Sequence, residues 1–112
     1  IAQAHGSTAE IEWGQNIPPV INHDWVTSVA FKAAEKVTGD PKKLVIVRGT
    51  TGAEDFGAYS KHGKACFLTV GVGGSYPGHN PKLVVDENAM PYGCALMVQV
   101  ALDLLNTEEP DE

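Results

Sequence analysis

The residues with the most chemistry to offer lie in one stretch, Thr69 to Pro81, which reads TVGVGGSYPGHNP. It carries one histidine, His79, set between Gly78 and Asn80-Pro81, and the glycines Gly71, Gly73, Gly74 and Gly78. Glycines so closely spaced let the backbone reach positive φ and bring bare N–H groups up to a ligand. Pro77 and Pro81 fix the approach and the exit, and each pushes the residue before it towards extended backbone. The stretch reads as a ligand-facing loop with a single chemical head. A lone loop histidine is solvated, locally hydrogen-bonded or one member of a metal site, and a zinc site needs three or four converging groups.

Phosphate-binding readings fail on spacing. Gly71-Val72-Gly73-Gly74-Ser75-Tyr76 has no glycine at its sixth position, and prolines follow where a dinucleotide fingerprint needs a helix N-terminus. No Gly-Lys-Ser/Thr follows either, which excludes a P-loop. Glu54 and Asp55 are the other notable pair. Acids in a first helical turn stabilise it by about 0.3–1 kcal/mol each at exposed sites, and a ligand contact is the alternative role. Cys66 and Cys94 form no CxxC or ligand spacing, so they read as two reduced core thiols of a cytoplasmic protein.

These residues need elements to hold them. Ala65 to Val70 is an apolar run feeding the glycine-rich loop, and Leu44 to Val47 is a second; both predict short strands buried on two faces and adjacent in one sheet. Val26, Val29, Ala30, Ala33, Ala34 and Val37 recur at helical spacing after the cap candidates Asn22, His23 and Asp24. Gly39 and Pro41 end that helix. A short helix is expected from Ala53 to about Lys61. Asp86 or Asn88 caps a longer one, with Pro91 in its first turn, and from Cys94 to Leu105 only Gln99 and Asp103 are polar. Such a helix requires cover on both sides. Near the start, Ile1 to His5 resembles a last helical turn closed by Gly6, and Ala9 to Trp13 alternates like a strand with Ile11 and Trp13 facing a core. Pro18-Pro19 marks a stiff crossing between domains.

The chain of 112 residues is one domain's worth of protein, or one piece of a larger domain, with 43% hydrophobic and 20% charged residues. That composition excludes a disordered chain. The net charge of -6, with carboxylates at Glu108, Glu109, Asp111 and Glu112, argues against nucleic-acid binding, and no apolar run reaches the length of a bilayer span. The start on Ile1 reads as a chain cut from a longer one.

Three segments in order resemble one family: Gly52-Ala53-Glu54-Asp55-Phe56, then Gly71-Val72-Gly73 with Gly78-His79-Asn80-Pro81, then Asp86-Glu87-Asn88-Ala89-Met90-Pro91 running into an apolar helix. They are similar to the C-terminal end of the metal-dependent amidohydrolases and peptidases that include aminoacylases, hippurate hydrolases and indole-acetyl-amino-acid hydrolases. The similarity runs back through Pro18-Pro19 and Asn22 to His5-Gly6.

The resemblance implies the C-terminal part of a three-layer α/β sandwich catalytic domain over residues 16–112. Residues 1–15 would be the last helix and strand of an inserted lid or dimerisation domain. It further implies a site of two divalent metals, zinc or manganese, to which His79 supplies one ligand. Gly71, Gly73, Gly74 and Ser75 would present backbone N–H groups to the carboxylate of an N-acyl amino acid or short peptide. The general base and the remaining ligands have no counterpart here, so catalysis would require the rest of the full-length chain, with a homodimer formed through the lid. The alternatives are a binding module that keeps the fold without the chemistry, and a structural α/β domain with an incidental histidine.

Overall fold

Asp24–Thr38 forms the helix α1, and it buries Val26, Val29, Ala30 and Ala33 of the six residues the spacing selects, leaving Ala34 and Val37 half-buried. His23 stands at its N-cap without a side-chain cap bond, while the Thr27 hydroxyl turns back to donate to the His23 carbonyl at 2.8 Å. Gly39 stops the helix at φ 63°, its N–H donating to the Glu35 carbonyl. A single 3-10 turn, Pro41–Lys43, follows. The computed structural model describes residues 1–110.

Gly57–Ser60 is α2, one turn only. The expected helix from Ala53 is therefore shorter. Glu54 and Asp55 lie ahead of it in a turn, where the Glu54 carboxylate accepts from the Phe56 N–H at 3.1 Å. A tight approach fixes this segment in place: a Cβ on Gly57 would lie 2.1 Å from the Pro18 carbonyl oxygen, and the Ile21 N–H donates to Ser60 Oγ at 3.3 Å.

Met90–Leu105 is α3, with Pro91 in its first turn where a missing N–H costs little. Its less exposed residues, Gly93, Leu96, Gln99, Val100, Asp103 and Leu104, fall on one helical stripe. α1 and α3 pack on each other, the principal pairing of elements in the chain. Lys36 Nζ lies 2.8 Å from both carboxylate oxygens of Asp103, and Gln99 Nε2 donates to the same carboxylate at 2.9 Å. The Lys36 ammonium holds the Asp103 carboxyl below its ordinary value. Away from that stripe, Val98, Leu102 and Leu105 are exposed, and so is Met97 at its margin.

The three-layer α/β sandwich is not what this chain forms. Among the described residues there are helices, turns and irregular backbone but no strand. Leu44 to Val47 and Ala65 to Val70 share no backbone hydrogen bond, and Val45, Ile46 and Val47 are 75%, 84% and 68% exposed. The physical reason is that a helix satisfies its backbone within one segment, whereas a strand exists only with a partner along its ladder. Around Phe67 the polar groups go to side chain and helix end instead. The Phe67 N–H donates to Asn22 Oδ1 at 2.8 Å, Asn22 Nδ2 to the Phe67 carbonyl at 3.3 Å, and the His23 N–H to the Ala65 carbonyl at 2.8 Å. Asn22 thus takes the place a neighbouring strand would fill.

The strand expected over Ala9 to Trp13 is absent for the same reason, and Ile11 and Trp13 face solvent, not a core. Ala2–His5 is a 3-10 turn closed by Gly6 at φ 65°. The chain is open in consequence. Its radius of gyration is 19.2 Å, against about 13 Å for a compact domain of this length.

Candidate functional site

The glycine-rich loop is closed at its base. The Asp86 N–H donates to the Val72 carbonyl at 2.7 Å, so residues 72–86 leave and return at one point, as an Ω-loop does. Gly73 and Gly74 have φ of 63° and 92°. At Gly74 the freedom from a side chain is required twice over, because a Cβ there would lie 2.8 Å from the Val84 carbonyl oxygen on the returning limb.

His79 sits at the head of this loop. The Asn80 N–H donates to the Pro77 carbonyl at 3.3 Å, which makes His79 the third residue of a turn, and its φ is 65°. Among the described residues it is the one non-glycine with positive φ. A left-handed non-glycine residue costs on the order of 1–3 kcal/mol and persists where the surroundings impose it. Asn80 anchors the exit of the turn: its side chain accepts from the Lys82 N–H at 2.9 Å and its carbonyl from the Leu83 N–H at 3.0 Å. The imidazole is presented to solvent, as are Gly71, Gly73, Gly74 and Ser75 on the same loop.

These residues lie within a longer match. Residues 4–103 match the Peptidase family M20/M25/M40. The chain belongs to that family. It is 28% identical over 111 residues to an N-acetyl-L-cysteine deacetylase of Bacillus subtilis (strain 168), covering 97% of this chain and 26% of that protein. It is 27% identical over 107 residues to an N-acetylcysteine deacetylase of the same organism, covering 96% of this chain and 27% of the relative. With the IAA-amino acid hydrolase ILR1-like 6 of Arabidopsis thaliana it shares 31% identity over 94 residues, 80% of this chain and 20% of the relative. The chain thus spans about a quarter of the length of the deacetylases it matches. No solved structure gives a significant match.

Family membership raises the question of a metal, and the donor set answers for this chain. Among the described residues no three of His, Cys, Asp and Glu gather into a group that could hold an ion. His79 offers one coordination position, and a single imidazole does not fit a metal centre by itself. Glu54 is engaged with the Phe56 N–H and does not join His79.

Other polar groups gather where no local sequence pattern points. His23 Nε2 lies 3.9 Å from Glu109 Oε1, Lys64 Nζ pairs with the other oxygen of the same carboxylate, and His23 Nδ1 is buried with no partner among the described residues. The pairing links residues far apart in sequence, which no local pattern announces. Asp111 and Glu112 lie outside the described residues. Cys66 is half-buried, with the Thr27 hydroxyl 3.5 Å from its sulfur, whereas Cys94 is exposed on α3 and so is not the core thiol expected. Between α1, α3 and the extended segments runs a groove of about 600 Å³, lined by Ala30, Phe31, Ile46, Phe67, Tyr92 and Leu96 among others. No helix among the described residues is long and apolar enough to cross a membrane.

Proposed function

We propose that this chain supplies the His79-bearing part of a metal-dependent hydrolase acting on the amide bond of N-acyl amino acids or short peptides. The reading is carried by one observation: a family match over residues 4–103 encloses a closed loop whose head is a histidine held in left-handed backbone. The printed names of the relatives, two N-acetylcysteine deacetylases and an IAA-amino acid hydrolase, support the substrate class. In the whole protein His79 contributes one neutral imidazole to a site of divalent metal, zinc or manganese, whose other ligands come from residues outside this chain. Bound there, a divalent metal polarises the amide carbonyl and activates water.

The chain's own part is recognition and placement. Gly71, Gly73, Gly74 and Ser75 offer backbone N–H groups from exposed positions, suited to the carboxylate of the substrate's amino-acid half. Residues 1–15, with Ile11 and Trp13 exposed, would serve dimerisation.

The test is made on the full-length protein with N-acetylcysteine and a panel of other N-acyl amino acids. His79→Ala should lower bound divalent metal and remove most hydrolysis while leaving the melting temperature near that of the unaltered protein. Metal content and rate both unchanged in the variant would remove His79 from the site. An unaltered protein that hydrolyses no member of the panel would favour the non-catalytic binding module.

A further inference from the structure

We propose that Asp86 is the positioning residue of the His79 loop, clasping its two limbs together and tying them to the start of α3. This rests on the reading of His79 as the working side chain. A loop head is held at a fixed place only if its base is tied to something stiff, and Asp86 makes three such ties. Its N–H donates to the Val72 carbonyl at 2.7 Å on the outgoing limb. Its carboxylate Oδ1 accepts from the Asn88 N–H at 3.0 Å and from Asn88 Nδ2 at 2.8 Å.

The second and third ties start the 3-10 turn Glu87–Ala89, which runs directly into α3. α3 in turn is packed on α1 and bound to it through Lys36 and Asp103. A continuous path therefore leads from the helix pair to the loop base. Asp86 also lies against the glycine limb, its Cβ 3.7 Å from where a Cβ of Gly73 would stand. Beyond this clasp the head from Ser75 to His79 is exposed, so local turns and the clasp are what hold it.

The geometry at Asp86 allows the two kinds of tie to be removed separately. Its φ of -76° lies in the range of proline, so Asp86→Pro removes the N–H without demanding a new φ. Asp86→Ala keeps the N–H and loses the carboxylate, and Asp86→Asn keeps an acceptor oxygen as well as the N–H. In the full-length protein, amide deuterium exchange over residues 72–85 should rise modestly in the alanine variant and most in the proline variant. Asparagine should restore protection. Exchange in α1 and in α3 beyond its first turn should stay as it was. A misplacement of about 1 Å costs up to on the order of a hundredfold in rate, so kcat on N-acetylcysteine should fall by about tenfold for alanine and up to a hundredfold for proline, with KM changing less.

Unchanged exchange in the alanine and proline variants would overturn the clasp. So would raised exchange with unaltered kcat, or loss of protection spread over α1 and α3, which would make Asp86 a general stabiliser. His79→Ala, measured beside them, keeps the two readings apart. If that variant hydrolyses at full rate, the role of His79 fails, while the exchange arm still decides whether Asp86 closes the loop.

Discussion

The helix pair and the extended half of this chain are built from equally apolar residues, yet only one of them is closed. α1 buries Val26, Val29, Ala30 and Ala33 and is pinned to α3 through Lys36 and Asp103. Val45, Ile46 and Val47 are as apolar and lie mostly in solvent. The difference is in where each segment's backbone hydrogen bonds go. A helix completes its own, so an apolar stripe on it can find any matching surface. An extended run leaves its backbone polar groups unanswered until a neighbour lies along it, and here Asn22 answers for Phe67 and the His23 N–H for the Ala65 carbonyl.

The open half nonetheless contains one tight backbone contact, between Gly57 and Pro18. Gly57→Ala would place a Cβ 2.1 Å from the carbonyl oxygen of Pro18. Backbone, unlike a side chain, cannot rotate out of the way, so the Pro18–Pro19 connector or α2 must shift. We expect a loss of about 3 kcal/mol, the upper part of the usual range for overpacking, read by chemical denaturation of the full-length protein. A loss under about 1 kcal/mol would mean that the connector yields freely.

A buried and an exposed position separate the two halves by stability. Ala33 is fully buried in α1, and Ala33→Leu should destabilise by about 1–3 kcal/mol. Ile46, 84% exposed, is the control, and Ile46→Ala should change stability by no more than about 0.5 kcal/mol. Should Ile46→Ala cost about 2 kcal/mol or more in the full-length protein, as truncation of a buried isoleucine does, then something in that protein covers the groove beside it.

What the sequence made legible follows the same division. The stripe of α1, its stop at Gly39 and the place of Pro91 in α3 depend on residues within a turn or two, and all are found where spacing puts them. The apolar, β-branched composition of Leu44 to Val47 and Ala65 to Val70 predicts strands, but composition reports a tendency to pair and not the presence of a partner. The loop was legible as a loop because four glycines and two prolines exclude a helix. Its closure was not. The bond from Asp86 to Val72 joins residues separated by the whole loop, and nothing in the type of either residue selects the other. The positive φ of His79 was equally hidden, since Gly78 beside it is the residue chemistry would choose for that conformation.

The smallest expected effect tests whether the charge network on the closed side contributes to its stability. Lys36 hydrogen-bonds the Asp103 carboxylate and so holds the Asp103 pKa below 3.8, its ordinary value, with a further lowering from Gln99 against an opposing desolvation. A carboxyl whose pKa is depressed on folding adds stability at pH values above its unfolded pKa, and that stability is lost as pH falls through the folded value. The window is therefore acidic and lies below the usual carboxylate range. Lys36→Met should return the Asp103 titration towards its ordinary value, seen in carbon-detected NMR. The melting temperatures of the unaltered protein and of Lys36→Met should differ by a constant amount above about pH 5 and converge below it. Parallel melting curves through that range would show that α1 and α3 are held by their apolar stripes alone, and the ion pair would then be an accompaniment of the packing and not a part of its stability.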